Sequence, residues 1–258
     1  MGDQADDHRD PVSGAPGLSG YSAAYGLSGY SGAHGRSGYS ADMASTPTPE
    51  DAYTAAPFVP ARGGLGALRA AAAGCRGCPL HAPATQTVFG EGDEDARVML
   101  VGEQPGDQED RQGRPFVGPA GHLLHKALEE AGLDPAQAYV TNAVKHFKFA
   151  QTEPGNRRIH RAPTLREMSA CAPWLVRELA LVEPELIVVL GATAGKALLG
   201  SSFRVGRVRG TVIEQDIHGR PERLLPTVHP SSVLRSDDRD AAYQGFLADL
   251  KIAARTLG

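Results

Sequence analysis

Polar groups follow three of the short apolar runs in this chain. Glu103 and Gln104 come after Arg97 to Val101 (RVMLV), Asn142 lies near the end of Ala138 to Val144 (AYVTNAV), and His229 follows the run at Arg223 to Val228. Together they offer a carboxylate, two carboxamides and an imidazole, groups that exchange hydrogen bonds and, at Glu103 and His229, protons. Runs of this length and composition form buried strands. If the strands are parallel, their ends share one edge of the sheet, where open α/β folds bind ligands. That placement brings the groups to one pocket and names no ligand. A second set of reactive side chains is the three cysteines, Cys75, Cys78 and Cys171. An odd number argues against a disulfide framework. The CRGC spacing at Cys75 suits two thiolates on one metal centre and is shared by redox pairs.

The elements that must position these groups alternate strand and helix. An Ala-rich helix, Leu65 to Ala73, precedes CRGC. The RVMLV strand ends in the turn GEQPGD, residues 102–107, followed by a loop rich in glycine and proline and an amphipathic helix from about Ala120 to Ala131. Gly102, Pro105 and Gly106 let the backbone of that turn approach a ligand closely. After the AYVTNAV strand comes a polar loop, Lys145 to Pro163. A helix from Thr164 to about Leu181 has Thr164 as N-cap and Glu167 as its capping-box partner. Glu185 to Leu190 (ELIVVL) is a third strand, with a helix to about Leu199. Short strands near 211–214 and 223–228 precede His229, and a helix from about Arg239 to Thr256 closes the chain. Crossovers of this length predict a mostly parallel sheet with helices on both faces.

Composition sets the outer bounds. The chain has 258 residues, enough for one sizeable core, but its first 62 are rich in Gly, Ser, Ala and Pro and carry GLSGYS at Gly17, GLSGYS at Gly26 and GRSGYS at Gly35. Too few large apolar residues are present there to offset the entropy of ordering, so 1–62 reads as a disordered tail and 63–258 as the folded domain. Residues 1–60 hold seven acidic and two basic residues, a balance of −5 within the total of −4, which leaves +1 for the rest. The acidic total therefore does not argue against nucleic acid. No stretch has the length of a membrane span and no signal-peptide core is visible, so a cytoplasmic protein without membrane contact is expected.

GEQPG at Gly102, RPFVGPAG at Arg114, TNAVKH at Thr141 and VHPSS at Val228 resemble the motifs of the uracil-DNA glycosylase superfamily, specifically its iron-sulfur branch. GNRRIH, residues 155–160, resembles more narrowly the UdgX-type (family X) members, which cross-link themselves to uracil-containing DNA. The resemblance runs from about Leu65 to the C-terminus. It implies a three-layer α/β/α fold around a central, mostly parallel four-stranded sheet, and excision of uracil from DNA.

Each matching position acquires an implied role. Phe116 stacks on the extruded base and Asn142 reads it, accepting from N3–H and donating to O4. His229 donates to O2 as negative charge develops on the leaving uracil, and Glu103 faces the cationic sugar. Gln104 and Asp107 shape the pocket. His160 attacks C1′ in place of water and remains bonded to the abasic deoxyribose. Arg158 positions its loop, and Arg157, Arg161, Lys145 and Lys148 contact phosphates.

Related cluster-bearing members use four cysteines, and this chain has His146 where the third falls. The resemblance thus implies a [4Fe-4S] cluster on Cys75, Cys78, His146 and Cys171, with a structural zinc ion as the alternative for a Cys3His set. The expected partner is uracil-containing DNA, preferably single-stranded, with free uracil as product and the protein a monomer. An ordinary turnover glycosylase and a non-catalytic binder of uracil or abasic DNA are the competing readings.

Overall fold

The structure, a computed structural model, describes residues 53–151, 153 and 155–258. The repeats at Gly17, Gly26 and Gly35 lie outside the described residues.

In chain order the regular elements are α1 (Leu65–Ala72), β1 (Glu91–Gly92), β2 (Val98–Gly102), α2 (Asp107–Gln112), α3 (Pro119–Ala131), β3 (Ala138–Asn142), β4 (Phe149–Ala150), β5 (Ile159–His160), α4 (Leu165–Val182), β6 (Leu186–Leu190), α5 (Gly191–Leu199), α6 (Val205–Val208), β7 (Ile213–Ile217), β8 (Arg220–Thr227), α7 (Pro230–Leu234) and α8 (Arg239–Leu257). The main sheet runs β1-β3-β2-β6-β8-β7, and its four inner strands are parallel. β1 and β7 add antiparallel edges, which widen the expected four strands to six. The parallel inner strands are covered by helices on both faces.

That double coverage explains the unbroken apolar runs of β2 and β6, every residue of which is buried. Alternate side chains serve opposite layers. Met99, Val101, Ile187 and Val189 pack with Leu68, Trp174 and Leu175 of α1 and α4. Val98, Leu100, Leu186 and Val188 pack with Leu124, Leu128, Phe246 and Leu250 of α3 and α8. The result is the three-layer α/β/α arrangement.

Local signals set the helix ends. The Thr164 hydroxyl accepts from the Glu167 N–H at 3.3 Å while the Glu167 carboxylate accepts from the Thr164 N–H at 2.6 Å, the reciprocal capping box that starts α4. Asp238 caps α8 through the Ala241 N–H. α3 opens on Pro119 and stops at Gly132, whose φ of 85° belongs to the left-handed region.

Residues 53–62, on the tail side of the boundary expected at 62/63, pack against α4. The Ala55 N–H donates to the Ala170 carbonyl at 2.7 Å, Ala55 is buried, and the Arg166 guanidinium lies 4.5 Å from the Tyr53 ring centroid. The segment expected to be an irregular loop after β3 contains the two-stranded ribbon β4–β5, in which Phe149 pairs with His160. Among the described residues no helix is long and apolar enough to cross a membrane.

Candidate active site

The parallel register aligns the strand ends that matter. Gly102 pairs with Asn142 and Leu190 with Thr227, so the residues that follow lie side by side along the carboxyl edge of the sheet. A cavity of about 310 Å³ opens there, bounded by Glu103, Gln104, His160, Thr193, His229 and Arg235 among others. Three of the predicted strand-end groups, Glu103, Gln104 and His229, thus meet in one space, and the ribbon brings His160 to join them.

Gln104 builds the mouth of this cavity. Its Oε1 accepts from the Lys148 N–H at 3.0 Å, and its Nε2 donates to the carbonyls of Lys148 and Arg161 at 3.1 and 3.0 Å. One side chain therefore ties both strands of the ribbon to the β2 turn. With its two hydrogens directed at those carbonyls, the same amide nitrogen also lies 2.9 Å from His160 Nε2. Burial lowers the His160 pKa from its ordinary value and Arg235 adds to the effect, while Glu103, whose Oε1 lies 3.3 Å from Nε2, opposes it. The imidazole is neutral at neutral pH, half-exposed, and 6.0 Å from the Phe147 ring.

His229 is the N-cap of α7. The Ser231 N–H donates to its Nδ1 at 3.1 Å, which leaves the hydrogen on Nε2 as a free donor. Burial, reinforced by Arg235 and His160, pushes its pKa down to about 4. Gly191 allows the end of β6 to come this close, since a Cβ there would lie 2.9 Å from the His229 Cβ.

Asn142 and Phe116 meet across Gly102 rather than opening on the larger cavity. A Cβ on Gly102 would lie 2.4 Å from Asn142 Oδ1 and 2.7 Å from Phe116 Cζ. Asn142 is only 3% exposed, and its side-chain amide has no protein hydrogen-bond partner among the described residues. Phe116 adopts a φ of 54°, a conformation that side chains rarely take, and its ring lies 6.3 Å from that of His229 with the planes 27° apart. Gly121 permits it, because a Cβ at that position would run into the Phe116 carbonyl. Strain of this kind persists where the surroundings over-determine it, typically at functional sites.

Residues 89–251 match the family model described as the uracil DNA glycosylase superfamily. The chain belongs to the uracil DNA glycosylase superfamily. It is 40% identical over 163 residues to a Type-4 uracil-DNA glycosylase of Thermotoga maritima, an alignment covering 63% of this chain and 79% of the relative. It is 38% identical over 178 residues to a Type-4 uracil-DNA glycosylase of Pyrobaculum aerophilum, with 67% and 86% covered. A Type-5 uracil-DNA glycosylase of Thermus thermophilus is 37% identical over 139 residues, with 48% and 58% covered.

Within this glycosylase-superfamily fold the remaining predicted residues take varied places. Asp107 does not line the cavity. It accepts from Arg158 Nε at 2.5 Å and from Arg111 Nε at 2.9 Å, and these partners depress its pKa against the opposing effect of burial. Arg158 also donates to Asp110 Oδ2 at 2.6 Å and packs over the rings of Phe147 and Phe149. It thereby pins the ribbon to α2. Arg157 and Arg161 are exposed, as phosphate contacts require. Lys145 and Lys148 depart from that expectation. Lys145 is 0% exposed and paired with Glu178, and Lys148 Nζ is engaged by Glu167 at 2.8 Å.

Two further residues of the site were not anticipated. Asp110 is 0% exposed and also accepts the Thr85 N–H. Its spacing of three from Asp107 on a helix signals that both carboxylates serve one cation. Glu109 bridges the two glycine-rich loops, accepting from the Gly106 N–H at 3.1 Å and the Gly118 N–H at 2.7 Å. Its signal is its position three residues after the Gly106 N-cap.

The three cysteines are buried, and each faces N–H donors or one another. The Trp174 Nε1–H donates to Cys75 Sγ and the Lys145 N–H to Cys171 Sγ, both at 3.3 Å. Burial raises the Cys78 thiol, and it pushes Cys171 up to about 12, with Cys78 and Cys75 adding to that rise. Among the described residues no three Cys, His, Asp or Glu side chains close around a single-ion position. His146 is buried, with its pKa pushed down to about 4 by burial. The Thr87 hydroxyl gives its only hydrogen to the Ala72 carbonyl at 2.9 Å, so toward His146 Nε2, 2.8 Å away, it accepts. The imidazole is then the Nδ1-unprotonated tautomer, the state of a metal-ligating histidine whose other nitrogen is held by an outer partner.

Proposed function

We propose that this protein excises uracil from DNA and then bonds covalently, through His160, to C1′ of the deoxyribose it has uncovered, as a UdgX-type glycosylase. The observation that carries the reading is the neutral His160 imidazole beside Glu103, held by Gln104 at the mouth of the cavity that also contains His229. Phe116 stacks on the extruded base, and Asn142 accepts from uracil N3–H and donates to O4. The glycosidic bond breaks with its electron pair going to uracil, whose O2 receives the His229 Nε2–H hydrogen bond. The positive charge that develops at C1′ faces the Glu103 carboxylate. The His160 Nε2 lone pair then forms the N–C1′ bond, at an effective concentration that water does not match. The ring sheds its Nδ1 proton to solvent and the uracil anion takes one up, so free uracil departs.

Single-stranded substrate is favoured because no partner base must be unpaired first. The exposed Arg157 and Arg161 supply phosphate contacts. The pocket is built within one chain, consistent with a monomer, and the reading carries a cytoplasmic location with it. Thiolates of Cys75, Cys78 and Cys171 and the Nδ1 of His146 would hold a [4Fe-4S] cluster in a structural role, tying the CRGC segment to α4. The N–H donors directed at two of the sulfurs suit ligating thiolates. Iron and sulfide analysis against zinc content separates the cluster from a structural zinc ion.

The 40% identity to a Type-4 uracil-DNA glycosylase favours a second reading, release of an abasic product with turnover. A denaturing gel decides between them. The protein is mixed with a labelled single-stranded oligonucleotide containing one uracil, beside a thymine control and the His160→Ala variant. A uracil-dependent shifted band that survives boiling, and is replaced by an abasic product in the variant, is expected. A wild type that yields only the alkali-cleavable abasic strand would overturn the self-trapping step.

A further inference from the structure

Lys145 is a buried cation that the chemistry above does not use. Its ammonium donates three hydrogen bonds: to Thr141 Oγ1 at 2.6 Å, to the Asn142 carbonyl at 2.8 Å, and to Glu178 Oε2. Glu178, itself 0% exposed, uses Oε1 to accept from the Tyr139 hydroxyl at 3.0 Å and from the Thr141 hydroxyl at 2.9 Å. Every ammonium hydrogen and both carboxylate oxygens are thus satisfied. The Phe89 ring, its centroid 5.4 Å away, covers the ammonium.

This network closes on the residue that reads the base. The peptide between Asn142 and Ala143 is held at both ends. Its N–H donates to the Gly102 carbonyl at 2.9 Å, and its carbonyl accepts from Lys145 Nζ. β3 has ended at Asn142, so no ladder partner takes that carbonyl, and without Lys145 the peptide has one fewer restraint against rotation. Rotating it redirects the Asn142 side chain, which has no protein hydrogen bond of its own to hold it. Glu178 stands on α4, seven residues after Cys171 and four after Trp174, on the helix face that also presents Cys171 to the Lys145 N–H.

We infer that the buried Lys145–Glu178 pair is a positioning unit for uracil recognition, fixing the Asn142 peptide so that its amide is aimed before the base arrives. The inference rests on Asn142 reading uracil. Buried ion pairs replaced whole by apolar groups of similar volume commonly leave a fold as stable or more so, whereas removing one partner strands a charge. The test is therefore the double variant Lys145→Met/Glu178→Leu, with single-turnover uracil release measured across a range of protein concentrations on a single-stranded uracil oligonucleotide. Melting temperature and metal content are followed in parallel. The double variant leaves the Tyr139 and Thr141 hydroxyls and the Asn142 carbonyl without these partners, so it is expected to melt below the wild type; while folded, it keeps its half-saturating concentration and the maximal rate of uracil release falls by roughly tenfold or more. Thr141→Val, which removes the hydroxyl shared by both charges and preserves side-chain shape, gives a smaller fall of the same kind and serves if the double variant does not fold. Undiminished maximal rates in the folded variants would overturn the inference, as would losses of rate and DNA affinity in equal proportion. Failure of the wild type to release uracil would instead remove the functional reading on which it rests.

Discussion

Asn142 and His160 serve neighbouring parts of one site and are held by opposite means. Asn142 ends an interior strand of a parallel sheet, fully buried, with its backbone fixed by Gly102 on one side and Lys145 on the other. His160 sits half-exposed on a ribbon of two-residue strands, whose attachment to the domain passes through the Gln104 amide, the Arg158 guanidinium and the Lys148–Glu167 ion pair. On the proposed function, recognition falls to the rigid part of the fold, where a displaced group costs most, and capture to a part with few buried contacts. Changes to the ribbon should affect capture and stability together, and changes to the strand end should affect the first bond cleavage alone.

The largest expected effect falls on the ribbon's anchor. Arg158→Ala leaves Asp110, 0% exposed, with only the Thr85 N–H as partner, and should cost about 3 kcal/mol of unfolding free energy in denaturant titrations. The same variant should lose covalent adduct well before it loses uracil release. A cost below about 1 kcal/mol would mean that the ribbon is anchored elsewhere.

At the strand end the balance reverses. Asn142→Ala removes an amide with no protein partner, so the melting temperature should move little while single-turnover uracil release slows about a hundredfold, the usual consequence of losing one well-placed polar group. If stability fell and the rate held, the two regions would not differ in the way described.

The smallest effect concerns protons. His229 has its folded pKa near 4, below the ordinary value of 6.5, so above pH 6.5 it is neutral whether the chain is folded or not. As pH falls from 6.5 toward 4 the unfolded chain takes up a proton that the folded one refuses, and stability declines. At pH 5.5 the contribution is about 1.4 kcal/mol. Denaturant unfolding of the wild type and of His229→Gln at pH 7 and 5.5 should show that extra loss in the wild type only.

The sequence carries the frame of this site more plainly than its fastenings. Buried on both faces, β2 and β6 show it as unbroken apolar runs, and Thr164 with Glu167 announces α4 three residues apart. Glu103, Gln104 and His229 could be placed because a parallel sheet gathers whatever follows its strands. The ribbon was not legible, because its strands are too short to show a period and are held by a Gln104 side chain more than forty positions away. Lys145 looked like a surface phosphate contact for a similar reason. Its partner Glu178 lies on another element, and nothing within one helical turn of Lys145 marks it as buried. Asp110 was likewise hidden until Arg158 met it.

The pairing of Gly102 with Asn142 has a consequence for how the chain can change. Their separation is set by ladder hydrogen bonds between β2 and β3, not by the long crossover through α2 and α3 that joins them. Gly132, in the turn that leaves α3, has open space around its Cα and a backbone that already departs from the helix. Extra residues can be accommodated there without altering the slot between Asn142 and Phe116, so the crossover can vary in length, or carry an inserted module, while the geometry of that slot stays as it is.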